Sequence, residues 1–326
     1  MRSVVNSNRS LALGALLVAA SSVSAQQAIP LYPSEIPNSR PVSDEENVRD
    51  PNDAVPFIQD ISRPQLFPYP LAHAHGPRPA IVILPGGGYR GVSIEKEGFA
   101  VAKQLNAYGV AAFVVKYRTP SDKHMVDKTI GPLQDAQQAL RLVRERAHEW
   151  NVDPNRVGLL GFSAGGHLAS TAATKFDKPV LPGASAEQVR PNFLMLGYPV
   201  ISFRDELVHA GSREMLLGAT FTLEQVAECS NELQVTARTP PTFIFHAADD
   251  QGVVVANSLR FFEALQSAGV QSELIVYPRG GHGFGLDNPT TPDRWIERLR
   301  DWLQSQGFLR SDELQLSPSP TKAVEG

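Results

Sequence analysis

The 326-residue chain has one cysteine, Cys229. That excludes an intrachain disulfide and any cysteine-ligated zinc or iron–sulfur centre. Positive charge is not in excess: 30 Lys and Arg stand against 34 Asp and Glu, a net charge of −4. A nucleic-acid partner needs a basic face that displaces phosphate counterions, so none is expected. The glycine run at 86–88 lacks the Gly-Lys-Ser/Thr that would make it a phosphate loop. No internal repeat is visible. With 42% hydrophobic and 20% charged residues, the composition is that of a globular protein, which rules out a wholly disordered, collagen-like or coiled-coil chain.

What is present begins with a leader-like segment. Arg2 and Arg9 precede the apolar stretch Leu11–Ala20, and Val23-Ser24-Ala25 supplies small residues before Gln26. This order predicts a cleaved secretory signal peptide over 1–25. Ten apolar residues fall short of the roughly 20 needed to span a bilayer, so a membrane anchor is not expected. The expected location is secreted or periplasmic. Residues 26–79 form a proline-rich N-terminal arm: eleven of the 26 prolines lie between Pro30 and Pro79. That density disfavours helices and central strands and leaves room for edge strands such as Phe57–Ile61.

From residue 80 the pattern changes. Short apolar runs, Ala80–Leu84, Ala111–Tyr117, Val157–Gly161, Phe193–Tyr198, Thr242–His246 and Glu273–Tyr277, read as strands buried on both faces. Between them lie helical periodicities. Leu133, Ala136, Leu140, Val143, Ala147 and Trp150 share one face, and Trp295, Ile296, Leu299, Trp302 and Leu303 share another. The alternation predicts an α/β domain over 80–310 with a mostly parallel twisted sheet. Residues 204–239 interrupt it as a small helical insertion, and 311–326 read as a flexible polar tail. In open α/β sheets, ligands bind beyond the carboxyl ends of the strands.

Four segments at such ends carry chemistry. Gly161-Phe162-Ser163-Ala164-Gly165 is G-x-S-x-G between a strand and a helix. That spacing exposes a serine hydroxyl on a sharp turn, and the glycines let neighbouring backbone pass. His282, in Gly280-Gly281-His282-Gly283-Phe284 after the last strand, is positioned as the base. Ala247-Ala248-Asp249-Asp250 follows the preceding strand, and one of its aspartates would orient the imidazole. Asp250 is the choice and Asp249 the alternative. Pro85-Gly86-Gly87-Gly88-Tyr89 supplies bare amide donors for an oxyanion, with Ala164 N–H beside them. Tyr89 and Tyr198 are candidates to wall the substrate site with their hydroxyls facing sugar; core packing of both rings is the alternative. His73 and His75 form an H-x-H with no third ligand, so no metal or cofactor is expected. His167 reads as a packing or helix-start residue and His246 as structural. His124, His148 and His209 lack a motif.

These stretches, with Lys116–Arg118 and Asp153–Leu168, resemble α/β-hydrolase-fold carboxylesterases. Within them the chain is most similar to the secreted bacterial acetylxylan esterases and polysaccharide acetylesterases. The resemblance spans roughly Ile81 to Leu303. It implies an α/β-hydrolase fold with helices on both sheet faces, a triad of Ser163, Asp250 and His282, and oxyanion donors Gly87, Gly88 and Ala164. It implies as substrate an acetylated polysaccharide or oligosaccharide, or a small ester. Two other readings compete. A prolyl-oligopeptidase-like peptidase would carry a propeller, and only about fifty residues precede the first core strand. A non-catalytic binding protein would lack a nucleophile, base or hole, and none is lacking.

Overall fold

In the computed structural model, which describes residues 27–49, 56–71 and 74–314, the six apolar runs are six neighbouring strands. In chain order the strands are β1 (Ile29–Pro30), β2 (Asn47–Arg49), β3 (Phe57–Gln59), β4 (Gln65–Tyr69), β5 (Arg78–Leu84), β6 (Gly91–Val92), β7 (Ala111–Lys116), β8 (Val152–Phe162), β9 (Leu194–Gly197), β10 (Thr242–Ala247) and β11 (Ser272–Tyr277). The main sheet runs β1-β4-β7-β5-β8-β9-β10-β11. From β7 to β11 every pairing is parallel, whereas β4 and β1 join antiparallel at one edge. Every residue of β5 and β7 is buried, which is why these runs are continuous rather than alternating in character. The helices are α1 (Ala100–Ala107), α2 (Gly131–Glu145), α3 (Ser163–Thr174), α4 (Ala186–Val189), α5 (Ala210–Leu217), α6 (Leu223–Glu228), α7 (Ala256–Ser267) and α8 (Trp295–Ser305).

The chain leaves β5 for β7 on one side and then crosses to β8 on the other. The crevice at that reversal is where an open α/β sheet takes its ligand. The loops after β5 and β8 are those holding the glycine run and Ser163.

Two expected boundaries shift. The proline-rich segment is not separate from the domain at residue 80: β4 pairs along its whole length with β7, from Gln65↔Lys116 to Tyr69↔Ala112. Pro68 is tolerated there because β1 reaches only Gln65 and Leu66, leaving the outer edge open at residue 68. Arg118 ties the segment down further. Its buried guanidinium pairs with Asp135 of α2 and donates to Pro37 O, while Tyr32 donates its hydroxyl to Asp135 at 2.9 Å. At the other terminus, Ser311–Glu313 form a 3₁₀ turn. The buried Glu313 carboxylate holds Arg156 at 2.7 and 2.8 Å, so residues 311–314 belong to the domain. The leader-like residues 1–25 and the tail residues 315–326 lie outside the described residues. The insertion holds α5, α6 and a 3₁₀ turn at Asn231–Leu233.

Candidate active site

Ser163 sits where β8 becomes α3. The preceding Phe162 is extended, and Ser163 itself has φ +51, a left-handed conformation that costs a non-glycine residue about 1–3 kcal/mol. The glycines of the motif are required by contact. A Cβ on Gly161 would lie 2.2 Å from Gly165 O, and one on Gly165 would lie 2.1 Å from Leu84 O. The turn is thus forced against both its own helix and β5. Tyr89 (φ +61) and Tyr198 (φ +34) are strained in the same way at neighbouring strand ends.

Ser163 Oγ is 2.9 Å from His282 Nε2, and His282 Nδ1 is 2.7 Å from Asp250 Oδ2. A carboxylate only accepts, so Nδ1 carries the ring proton and Nε2 is left to accept from the serine hydroxyl. The imidazole is 30% exposed, whereas the Asp250 side chain is fully buried. Burial works to raise the Asp250 pKa, but hydrogen bonds from His246, His282 and the Val253 amide override it and hold the carboxyl well below the usual range. Its Oδ1 takes the Gly252 and Val253 amides at 2.8 and 2.9 Å. Asp249 is exposed and points elsewhere: it accepts the Gly281 amide at 2.8 Å, bracing the loop that bears His282. Geometry therefore separates the two aspartates that sequence left open.

His246 continues the chain behind the aspartate. Its Nε2 faces two acceptors, Asp250 Oδ2 at 3.1 Å and Val253 O at 2.9 Å, and its Nδ1 accepts from the Ser258 hydroxyl at 2.8 Å. It packs as a structural residue, and its contact is with Asp250. No motif marks it beyond its place at the end of β10.

The glycine loop is pinned on three sides. Tyr117 donates to Pro85 O at 2.7 Å, Gly86 donates its amide to Glu97 Oε2 at 2.7 Å, and Tyr89 donates its hydroxyl to His167 Nδ1 at 2.9 Å. Gly86 N–H is thereby committed. The amides of Gly87, Gly88 and Ala164 have no acceptor among the described residues. A Cβ on Gly87 would lie 2.2 Å from Gly91 O, whereas one on Gly88 would meet nothing nearer than His209 at 3.7 Å.

The two tyrosines do not face sugar. Both rings are buried, at 1% and 0% exposure, and both hydroxyls are spent inside. Tyr198 donates to Glu97 Oε1 at 2.7 Å and accepts the Gly285 amide at 2.9 Å. Its ring stands edge-on to His282 at 5.2 Å. Tyr89 and Tyr198 are framework, which corrects their reading as substrate-facing residues. The reason is that buried partners, His167 for Tyr89 and Glu97 with the Gly285 amide for Tyr198, take up both hydroxyls inside the fold. His167 completes the same framework. Burial lowers its pKa to about 4, against a hydrogen bond to Cys229 O, and its ring stacks on Phe203 at 4.3 Å.

Sequence reasoning missed Glu97 and His209. Glu97 lies in a charged stretch, Glu95-Lys96-Glu97, that reads as surface; nothing in the sequence shows that it is buried at 5% exposure. Burial pushes its pKa up, opposed by the bonds from Tyr198 and Gly86 and by His282. His209 opens α5 and leans over Gly88. His73 lies outside the described residues, and among those described no group of three or more His, Cys, Asp or Glu is placed to hold a metal ion.

Known proteins share much of this chain's sequence and fold. The BD-FAE family profile matches residues 69–265. The chain is 38% identical to an acetylxylan esterase of Xylanibacter ruminicola, over 76% of this chain and 50% of that protein. It is 35% identical to endo-1,4-beta-xylanase B of Butyrivibrio fibrisolvens, over 71% of this chain and 36% of that one. It therefore spans half or less of these relatives' length. Among solved structures it is similar to an acetyl ester-xyloside bifunctional hydrolase from Caldicellulosiruptor lactoaceticus. The TM-score there is 0.72 at 38% identity, covering 89% of this chain and all of that one. The expected α/β-hydrolase fold holds.

Proposed function

Because the chain belongs to the BD-FAE family and links a serine, a histidine and an aspartate in one hydrogen-bonded chain, we propose that it is a serine carboxylesterase. Its substrate in this reading is an acetylated plant polysaccharide such as xylan, or a short-chain ester. The names of its relatives support that substrate class, and the triad geometry is the observation that carries the chemistry.

Ser163 Oγ attacks the acetyl carbonyl while His282 Nε2 takes the hydroxyl proton. Negative charge collects on the carbonyl oxygen, and the free amides of Gly87, Gly88 and Ala164 are the donors for it. Removing one such donor costs roughly 10²–10³ in rate in serine hydrolases. His282 then returns its proton to the sugar oxygen as the C–O bond breaks, leaving acetyl-Ser163. A water that gives its proton to the same nitrogen attacks that ester, and His282 passes the proton to Ser163 Oγ as acetate leaves. Asp250 keeps the imidazole in the tautomer with Nδ1 protonated and stabilises the imidazolium. Export to the periplasm or beyond is proposed from residues 1–25 alone.

A short acyl group fits the insertion, whose Arg204, Asp205 and Glu206 are exposed charges rather than the wall of an apolar tunnel. Each methylene buried in an apolar pocket is worth about 0.8 kcal/mol. A site without that pocket gains nothing from longer chains. The test is acetate release from acetylated xylan beside a p-nitrophenyl ester series. The expected result is acetate release and a kcat/KM that falls from acetate or butyrate to octanoate. Hydrolysis of p-nitrophenyl acetate with none of acetylated xylan would overturn the polysaccharide reading, and a rise through octanoate would overturn the short-acyl one.

A further inference from the structure

The glycine loop carries, two residues beyond Gly88, an exposed arginine that the catalytic chemistry does not use. Arg90 makes no ion pair or side-chain hydrogen bond with any described residue. Arg90 helps to line an open groove of about 480 Å³, with Pro120, Asp122, Lys123, Lys128, Glu214 and Met215. The groove runs beside α5, a helix about 12 Å long at 1.5 Å per residue. The near end of that helix is His209. A Cβ on Gly211 would lie 3.5 Å from His209 Cε1 and 3.9 Å from Arg90 Nη2, so the two side chains flank one point of the helix start. The loop bearing Gly88, the imidazole of His209 and the mouth of the groove are therefore contiguous.

His209 is held with its outer nitrogen free. The Ser212 amide donates to Nδ1 at 3.2 Å, so Nδ1 has no proton and Nε2 carries it. Among the described residues Nε2–H has no acceptor. Burial, with His282 and Arg90 nearby, lowers the His209 pKa, so the ring is neutral at pH 7 with its one N–H on Nε2.

The charges of the groove decide its ligand. Lys128 is paired with Asp122 at 2.9 Å, and Lys123, which also lines the groove, is paired with Glu45, which does not. Glu214 is exposed and unpaired among the described residues. What remains free is one five-donor cation, Arg90, and one anion acceptor, Glu214, with Pro120 and Met215 offering apolar surface between polar groups. An anionic polymer would need an excess of free cations. A neutral, hydroxyl-rich chain uses donor, acceptor and C–H surface together.

We propose that this groove is a glycan-binding subsite: it holds the sugar residues of a neutral pentose polymer beside the acetylated one, with Arg90 and Glu214 gripping hydroxyls and His209 at the junction with the ester. The proposal rests on the esterase reading for its substrate class but concerns binding, so it is tested without turnover. Xylohexaose is titrated into Ser163→Ala protein and into Ser163→Ala carrying Arg90→Ala or Glu214→Ala, by calorimetry. Thermal unfolding of each variant serves as the control for folding. The expected result is binding by the single variant and at least a tenfold rise in Kd in either double variant at unchanged melting temperature. In the enzyme with Ser163 intact, Arg90→Ala raises KM for acetylated xylotriose at least tenfold more than it changes KM for p-nitrophenyl acetate. No xylohexaose binding by the single variant, equal Kd in all three proteins, or tighter binding of polygalacturonate than of xylohexaose would overturn the subsite. Binding that follows the expected pattern in a protein whose wild type cleaves no ester would leave the subsite standing and overturn the esterase reading instead.

Discussion

Glu97 accepts the Tyr198 hydroxyl at 2.7 Å with one carboxylate oxygen while the other takes the Gly86 amide. Tyr198 in turn accepts the Gly285 amide, so one buried side-chain pair joins the glycine loop, the turn after β9 and the loop bearing His282. Three loops that must agree to within a fraction of an ångström thus share one anchor. Such preorganisation lets amide donors stabilise charge without reorganising during the reaction.

Glu97→Gln should break this anchor with little change in shape. An amide presents one acceptor oxygen, so its NH₂ must face either the Gly86 N–H or the Tyr198 hydroxyl. A buried donor left unmatched costs about 1–3 kcal/mol. The expected outcome is a fall in kcat of roughly 10–100-fold, with KM for p-nitrophenyl acetate changed much less, and a lower melting temperature. Tyr198→Phe should lower kcat in the same sense, because it frees both Glu97 and Gly285. Wild-type kcat in Glu97→Gln would show that the anchor is not needed for catalysis.

Asp250→Asn and Asp249→Asn should differ widely. Only Asp250 touches the imidazole, and by analogy with the serine-protease triad its amide variant should lose about 10⁴ in kcat. Asp249→Asn keeps an oxygen for the Gly281 amide and should lose less than tenfold. Steady-state kinetics on p-nitrophenyl acetate separate them, and the reverse ranking would move the triad acid to Asp249.

His167 predicts a pH dependence of stability. Its pKa is about 4 in the fold against an ordinary 6.5, so between those values the unfolded chain binds more protons. Stability then rises with pH across that window. The contribution is complete above about 6.5 and is lost as pH falls through about 4. The gap is worth about 3 kcal/mol. His167→Gln, which cannot titrate, should show a shallower fall in unfolding free energy from pH 7 to 4.5 than wild type, measured by denaturant melts. Parallel curves would refute the assignment.

The six parallel strands and the serine elbow were legible because burial on two faces and a tight turn both leave marks in composition. The triad order was legible for the same reason: each member follows a recognisable strand. Glu97 was not, since a glutamate between charged neighbours looks solvated whether or not a tyrosine hydroxyl and an amide wait for it. Tyr89 and Tyr198 were misread because sequence shows a ring near the site but not the buried partners, His167 and Glu97, that take its hydroxyl. Gln65–Tyr69 hid in a proline-rich stretch because an edge position excuses Pro68 from donating to the ladder. His209 carried no motif; it was brought over Gly88 by the path of the insertion, which local pattern does not encode.

The proposed chemistry depends most on Ser163 as the nucleophile, and covalent trapping tests that directly. The protein is incubated with a p-nitrophenyl phosphonate, residual esterase activity is followed, and the modified peptide is mapped by mass spectrometry. The expected result is one phosphonyl group per chain on Ser163, with activity lost in proportion to labelling and no label in Ser163→Ala. Activity that survives complete labelling of Ser163, or inactivation that tracks a different residue, would contradict it.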